Sequence, residues 1–244
     1  MKKIRADVLL VDRGLAESRA KAQALILAGQ VFKGDERVAK AGDKLPADAP
    51  LEVRGQLPYV SRGGEKLAGA LDDLGFDPKG MVVADFGAST GGFTDCVLQR
   101  GATKVYAIDV GWGQLHNKLR QDERVVVMER TNARHLTEDD LPEKVDLIVI
   151  DASFIGIEKL LPAAAAISKP TAAILAMVKP QFQVGKEELG KGGVVRDDAL
   201  RTKAADDVAR AAEAFGYEER KRADSQVHGP KGNREIFLHL ERSA

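Results

Sequence analysis

The 244-residue chain is short of features that would tie it to an oxidising or membrane setting. It has a single cysteine, Cys96, so neither an internal disulfide nor a cysteine-based zinc site can form. Cys96 lies in an apolar helical pattern and is expected to be a small buried hydrophobe. No run approaches the ~18 uninterrupted apolar residues of a membrane span. The N-terminal Met1 to Asp7 leads into only four apolar residues before Asp12, too few for a signal-peptide core. Aromatic residues make up 5%, and neither sign of charge is in excess, with 37 Lys+Arg against 37 Asp+Glu. That balance excludes both a globally basic nucleic-acid coat and an acidic disordered tail. A soluble, cytoplasmic protein with no membrane partner is expected.

What is present is an ordinary globular composition, 44% hydrophobic and 30% charged, at a length that suits one large domain or two small ones. The zero net charge is unevenly spread. Residues 1–33 hold seven basic groups against Asp7, Asp12 and Glu17, a local charge of +4, so the remainder carries −4. A small basic module joined to a mildly acidic one is the organisation this implies.

Within the module, Ala6 to Asp12 reads as a short helix closed at Gly14. Ser18 is a good N-cap for a second helix, Arg19 to Ala28, with Leu25 and Ile26 inward and Gly29 as its stop. Strand-like pieces follow at Gln30–Lys33 and Leu51–Arg54, with turns at Gly34-Asp35 and Gly42-Asp43. The module is assigned residues 1–54, a linker 55–60 containing Gly55-Gln56-Leu57-Pro58, and the larger domain 61–244.

From Glu65 the texture changes. Leu67, Ala70, Leu71 and Leu74 fall at helical spacing. Buried strands then alternate with amphipathic helices: Val82–Asp85, Val105–Asp109, Val125–Met128, Val145–Asp151 and Ala173–Lys179. Short apolar runs separated by helix-length segments imply βαβ units and an α/β fold with a parallel sheet. After a helix over Ala199–Phe215, runs near Tyr217–Arg222 and Glu235–Leu240 suggest an antiparallel hairpin at one sheet edge.

The sharpest local signal is Asp85-Phe86-Gly87-Ala88-Ser89-Thr90-Gly91-Gly92-Phe93-Thr94, between the first of these strands and its helix. Glycines there let a ligand approach the backbone. Asp109 ends the next strand, 24 residues after Asp85, and can accept hydrogen bonds from both hydroxyls of a ribose. Loop and acid together suit NAD as well as S-adenosylmethionine. Two details separate these: the loop is not Gly-x-Gly-x-x-Gly, and it opens on Asp85, which suits a methionine ammonium better than a pyrophosphate. Asn132, after the third strand, is placed to meet an adenine edge, and Asp151 closes the fourth, where open α/β sheets carry their reacting groups. Lys66, Lys179 and Glu235 also sit at ends of elements. Lys179 follows the apolar run Ala173–Val178 and is a candidate for proton abstraction.

Taken in order, Ser61–Leu67, Asp85–Thr94, Asp109–Leu115, Asp151–Ile155, Val178–Phe182 and Gly229–Glu235 resemble the motifs of the haemolysin-A-like (TlyA-type) ribosomal RNA methyltransferases, over essentially the whole chain. The resemblance implies a Rossmann-like, FtsJ-like methyltransferase domain with a mostly parallel seven-stranded sheet, preceded by a small α+β S4-like RNA-binding domain. It implies S-adenosylmethionine as cofactor, no metal, and ribosomal RNA or a ribosomal subunit as partner; a monomer is expected, though no motif fixes the oligomeric state. The cofactor would be held by Asp85, Gly87, Ala88, Ser89, Gly91, Gly92, Phe93, Asp109, Val110, Asn132, Ala133 and Asp151, and RNA by Arg5, Arg13, Ser18, Arg19 and Lys21. A catalytic tetrad for ribose 2′-O-methylation would fall on Lys66, Asp151, Lys179 and Glu235. The family's target is a cytidine in large-subunit and, for some members, small-subunit RNA. Having no obvious extension at either end, the chain resembles a shorter subclass linked to the large-subunit site alone.

The tetrad is chemically apt. A ribose hydroxyl is a poor nucleophile, so the enzyme must align it and remove one proton. Lys179 must be neutral to do so: burial and Lys66 favour that state, whereas Asp151 and Glu235 oppose it. Other classes remain in view. A non-catalytic RNA-binding assembly factor is disfavoured by the intact loop, lysines and acids, and an NAD-dependent oxidoreductase by the loop spacing. A pore former is disfavoured by the lack of spanning segments.

Overall fold

The structure, a computed structural model, describes residues 3–55, 58–184, 194–229 and 232–242. Gln56 and Leu57 of the expected linker, and Pro230 and Lys231 of the last motif, lie outside the described residues. The chain divides into two compact units, Met1–Leu57 and Pro58–Ala244.

The small unit runs β1 (Lys3–Arg5), α1 (Ala6–Asp12), α2 (Arg19–Leu27), β2 (Val31–Lys33), β3 (Glu36–Arg37), β4 (Lys44–Pro46) and β5 (Leu51–Val53). The Ser18 hydroxyl accepts the Lys21 N–H at 3.2 Å and so caps α2. Leu9, Leu10, Ala22, Leu25, Ile26 and Val31 pack into a core belonging to this unit alone. β2 pairs antiparallel with β3 and with β5. β1 pairs antiparallel with β4, Ile4 opposite Leu45. Neither β1 nor β4 is evident in the sequence: Lys-Ile-Arg and Lys-Leu-Pro each offer a single aliphatic residue, whereas the equally short β2 and β5 each carry two apolar ones.

The large unit continues with α3 (Arg62–Leu74), β6 (Val82–Phe86), α4 (Gly92–Gln99), β7 (Lys104–Asp109), α5 (Asn117–Arg120), β8 (Val125–Glu129), β9 (Val145–Ile150), α6 (Leu161–Ile167), β10 (Ser168–Val178), α7 (Asp198–Glu213), β11 (Tyr217–Asp224) and β12 (Ile236–Arg242). Its sheet has seven strands in the order β11-β12-β10-β9-β6-β7-β8. From β10 to β8 the strands are parallel, and β12 runs antiparallel to both β10 and β11. The mostly parallel α/β sheet and its antiparallel hairpin edge are therefore those the sequence implied.

Both faces of the sheet are covered, which is why its central strands are apolar at nearly every position. Val83, Leu147, Val149 and Met177 face α3 and α4. Phe86, Ile148, Ile150 and Val178 face α6 and α7. Each fully buried Leu, Ile or Val contributes roughly 1.5–3 kcal/mol. Cys96 is fully buried in the α3–α4 layer, and burial pushes its thiol up to about 12. β10 begins five residues earlier than its apolar run, and its register shifts between Ser168 and Ala173 around Pro170, which has no N–H to give to a ladder. Among the described residues no helix is long and apolar enough to cross a membrane.

Candidate functional site

Parallel strands deliver their carboxyl ends, and the loops that follow, to one edge of the sheet. Two cavities open there, of about 350 and 580 Å³, and they share Asp151, Ser153 and Phe154.

The smaller cavity is framed by the ends of β6, β7 and β8. Asp109 closes β7, with Oδ2 accepting the Ser89 N–H at 2.8 Å and Oδ1 the Gly111 N–H at 2.7 Å. A carboxylate has about four acceptor sites, so two remain for ligand hydroxyls. The Oδ1 of Asn132 accepts the Arg134 N–H at 3.1 Å, which leaves its amide NH₂ free to donate. Of the residues expected to hold a cofactor, Gly87, Ser89, Asp109, Val110, Asn132, Ala133 and Asp151 line this cavity.

Asp85, Ala88, Gly91, Gly92 and Phe93 do not line it, and the reasons are steric. Strand alternation turns Ala84 and Phe86 toward the α6–α7 side and Asp85 toward α4. Asp85 is fully buried, its Oδ2 accepting the Thr94 N–H at 2.9 Å and the Thr94 hydroxyl at 2.6 Å. Burial, with Asp151 and Asp109 nearby, pushes its carboxyl up to about 7. A Cβ at Gly91, where φ is +94°, would meet Leu119 at 2.2 Å, and one at Gly92 would meet the Ser61 hydroxyl at 2.3 Å. These glycines let α3, α4 and α5 come together beneath the loop. Ala88 and Phe93 are core residues, the Phe93 ring 6.0 Å from that of Phe237. Asp85 Oδ1 is nevertheless buried without a hydrogen-bond partner. Within the cavity, the open acceptor sites of Asp109 and the amide of Asn132 fit a ribose- and adenine-bearing ligand such as S-adenosylmethionine.

The larger cavity brings together all four residues of the expected tetrad, Lys66, Asp151, Lys179 and Glu235, from four parts of the chain. Lys66 projects from α3 and its Nζ donates to Glu235 Oε1 at 2.8 Å. The pair is almost fully buried, at 9% and 2% side-chain exposure. Lys179 and Glu235 share one sheet end because β10 and β12 are antiparallel in the register Val178↔Ile236, and each residue lies one step beyond that pair. Lys179 Nζ lies 2.5 Å from Asp151 Oδ1 and donates to Ser153 Oγ at 2.8 Å. Burial raises the Asp151 carboxyl against the pull of Lys179 and Lys66.

Ser153 and Phe154 were not assigned roles from sequence. The signals available were their place in the Asp151–Ile155 motif and their position just beyond the end of β9. Phe154 is 90% exposed and has a φ of +65°, a conformation that strains a non-glycine residue. Its ring centroid lies 5.1 Å from that of Phe182, which lines the larger cavity with Ser61 and Arg62.

In the small unit, Arg5, Arg19 and Lys21 are exposed to solvent or partly so. Arg13 instead donates to the carbonyls of Ala47 and Ala49, and Ser18 is occupied as the cap of α2. These two support the module's fold in the structure.

Comparison with known proteins agrees with this arrangement. The FtsJ-like methyltransferase family matches residues 59–242, and the S4 domain family matches residues 4–49. The chain is 45% identical over 241 residues to the 16S/23S rRNA (cytidine-2′-O)-methyltransferase TlyA of Mycobacterium tuberculosis, covering 98% of this chain and 90% of that one. It is 32% identical over 245 residues to the 23S rRNA (cytidine-2′-O)-methyltransferase TlyA of Campylobacter jejuni, covering 95% and 94%. A solved structure from Streptococcus thermophilus, carrying a provisional hemolysin name, superposes with a TM-score of 0.75 at 41% identity, covering 100% of this chain and 90% of that one.

Proposed function

The chain belongs to the haemolysin-A-like (TlyA-type) family, an FtsJ-like methyltransferase behind an S4 domain, and from that premise we propose that it transfers a methyl group from S-adenosylmethionine to the ribose 2′-hydroxyl of a cytidine in ribosomal RNA. Large-subunit RNA is the first expected substrate and small-subunit RNA the second. One observation carries the chemistry: two lysine–carboxylate pairs converge in a single cavity that joins the Asp109 cavity through Asp151, Ser153 and Phe154.

S-adenosylmethionine supplies an activated methyl group, so the protein's task is to align the ribose and take its proton. Lys179 is the proton acceptor. Its Nζ is held by Asp151 Oδ1 and Ser153 Oγ, which leaves the remaining direction of the nitrogen toward the cavity. Asp151, whose carboxyl is raised by burial, stands beside the amine and orients it. Lys66 and Glu235 form a nearly dry pair whose part is to fix charge and orientation beneath the ribose. Phe154 offers an exposed ring at the seam of the two cavities, a stacking face for an unpaired base. In this reading residues 1–54 supply RNA affinity through Arg5, Arg19 and Lys21, residues 55–60 link, and residues 61–244 catalyse.

The test is to incubate the purified protein with methyl-labelled S-adenosylmethionine and unmethylated ribosomal RNA of each subunit, then digest the RNA to nucleosides. Label in 2′-O-methylcytidine from large-subunit RNA is expected. Label on a base, or on another nucleoside, overturns the assignment.

A further inference from the structure

The small unit contains a buried carboxylate that the proposed chemistry does not use. Asp7, in the first turn of α1, has no solvent exposure, and its two oxygens accept five hydrogen bonds. Oδ1 takes Arg5 Nε at 3.0 Å and the Val8 N–H at 3.0 Å. Oδ2 takes Arg5 Nη2 at 3.0 Å, Arg19 Nη2 at 3.1 Å and Gln23 Nε2 at 3.0 Å. One carboxylate thus holds a bidentate arginine from the residue before α1, a second arginine from the first position of α2, and a glutamine one turn further along α2.

A carboxylate beside an RNA-binding face is at first sight a liability, since it repels phosphate. Here it is enclosed, while the guanidinium side chains it holds stay 47% and 58% exposed. A guanidinium has five N–H donors in a rigid plane. Arg5 commits two to Asp7 and Arg19 one, so each keeps several donors for another anion. Two long side chains that would otherwise sample many rotamers are held in fixed orientations before any ligand arrives, which reduces the ordering cost of binding.

We propose that Asp7 is a positioning residue that sets Arg5 and Arg19 as a paired clamp for RNA backbone phosphate. The inference rests on the RNA-binding role proposed above for these two arginines. Its signature is a sign. If Asp7 acted on RNA only through its charge, neutralising it would tighten binding, because a negative group near the phosphates would be gone. A positioning role requires the reverse.

The experiment measures affinity of the full chain for an unmethylated large-subunit ribosomal RNA transcript. Asp7→Asn, with folding checked by thermal unfolding, is expected to weaken binding on the order of tenfold, the scale of a lost charge-assisted hydrogen-bond network. The same change in an Arg5→Ala/Arg19→Ala background is expected to have no further effect, whereas mere damage to the module would weaken that background too. Arg19→Lys, which leaves the buried carboxylate and the charge in place, is expected to weaken binding several-fold because the planar fork is lost; it decides the matter if Asp7→Asn unfolds. Unchanged or tighter binding by folded Asp7→Asn, or full affinity in Arg19→Lys, overturns the positioning role. No loss in Arg5→Ala/Arg19→Ala overturns the RNA-binding role of the arginines and the inference with it.

Discussion

The two cavities at the sheet edge are built on different principles. The smaller is made chiefly by loops that follow strand ends close together in the fold, and backbone N–H groups of Ser89 and Gly111 hold its key carboxylate. The larger is made by side chains from distant parts of the chain, held by two ion pairs of unequal burial. The difference teaches where each can fail. Damage to the loop cavity is expected to cost ligand affinity and little else. Damage to the side-chain cavity is expected to cost stability at its buried pair and turnover at its half-buried one.

The largest effect is expected at the buried pair. Glu235→Ala leaves the Lys66 ammonium enclosed and unpaired, and should destabilise the large unit by about 3–5 kcal/mol in urea unfolding. Replacing both partners with apolar residues, Lys66→Met with Glu235→Leu, should restore most of that stability without restoring methylation. If Glu235→Ala unfolds like the unmodified protein, the pair carries no structural weight.

Next comes the mouth of the same cavity. Lys179→Ala should leave folding and S-adenosylmethionine binding intact while lowering single-turnover methylation by about 10²-fold or more. Lys179→Arg should not rescue it, because guanidinium stays protonated. Near-normal turnover by the arginine variant at saturating RNA would mean that Lys179 merely attracts phosphate.

A smaller change is expected at the loop cavity, where Asp109→Ala should weaken S-adenosylmethionine binding by ~1–3 kcal/mol in calorimetric titration. Stability should change little beside the Glu235→Ala value. Equal affinities for variant and parent would remove the ribose contact from Asp109.

The gentlest effect is a slope. Asp85 in the folded chain holds its proton up to about 7, whereas in the unfolded chain it loses it near the ordinary carboxylate value of 3.8. Between those values the native state binds more protons, so the contribution of Asp85 to stability is fully present below that window and is lost as pH rises through it. Asp85→Asn, whose carbonyl can still accept from Thr94, should flatten this part of the stability–pH curve and gain stability above neutrality. A curve with the same slope in both proteins would show that Asp85 is ionised throughout.

How much of this could be read from residues alone follows from the same contrast. The strands β6, β7, β9 and β10 carry apolar runs that survive any local reading, and the hairpin of β11 and β12 follows from two strand-like runs after the last helix. Asp109 was legible because a parallel strand's last residue has only one place to be, and Asn132 because the loop leaving β8 opens at the same sheet edge. The inward turn of Asp85 was not, since an acid at a strand end looks alike whichever face it takes. Gly91 and Gly92 carried a true signal of close approach, and the atoms that come close in the fold are those of Leu119 and Ser61. The pairing of Lys66 with Glu235 has no local signature, and family resemblance alone pointed to it. Ser153 and Phe154 lie within a motif the resemblance marked, but their importance lies in bridging two cavities, which no motif shows.

The separation of Lys66 and Glu235 by 169 positions also has a temporal meaning. Synthesis proceeds from the N-terminus, so every parallel strand of the sheet is made while the Lys66 ammonium still lacks its carboxylate partner. The place between β10 and β11 stays open until β12 emerges. The same segment then fills the gap in the sheet and delivers Glu235 to the cavity. Completion of the sheet and completion of the tetrad are one event, and a partly made chain lacks both.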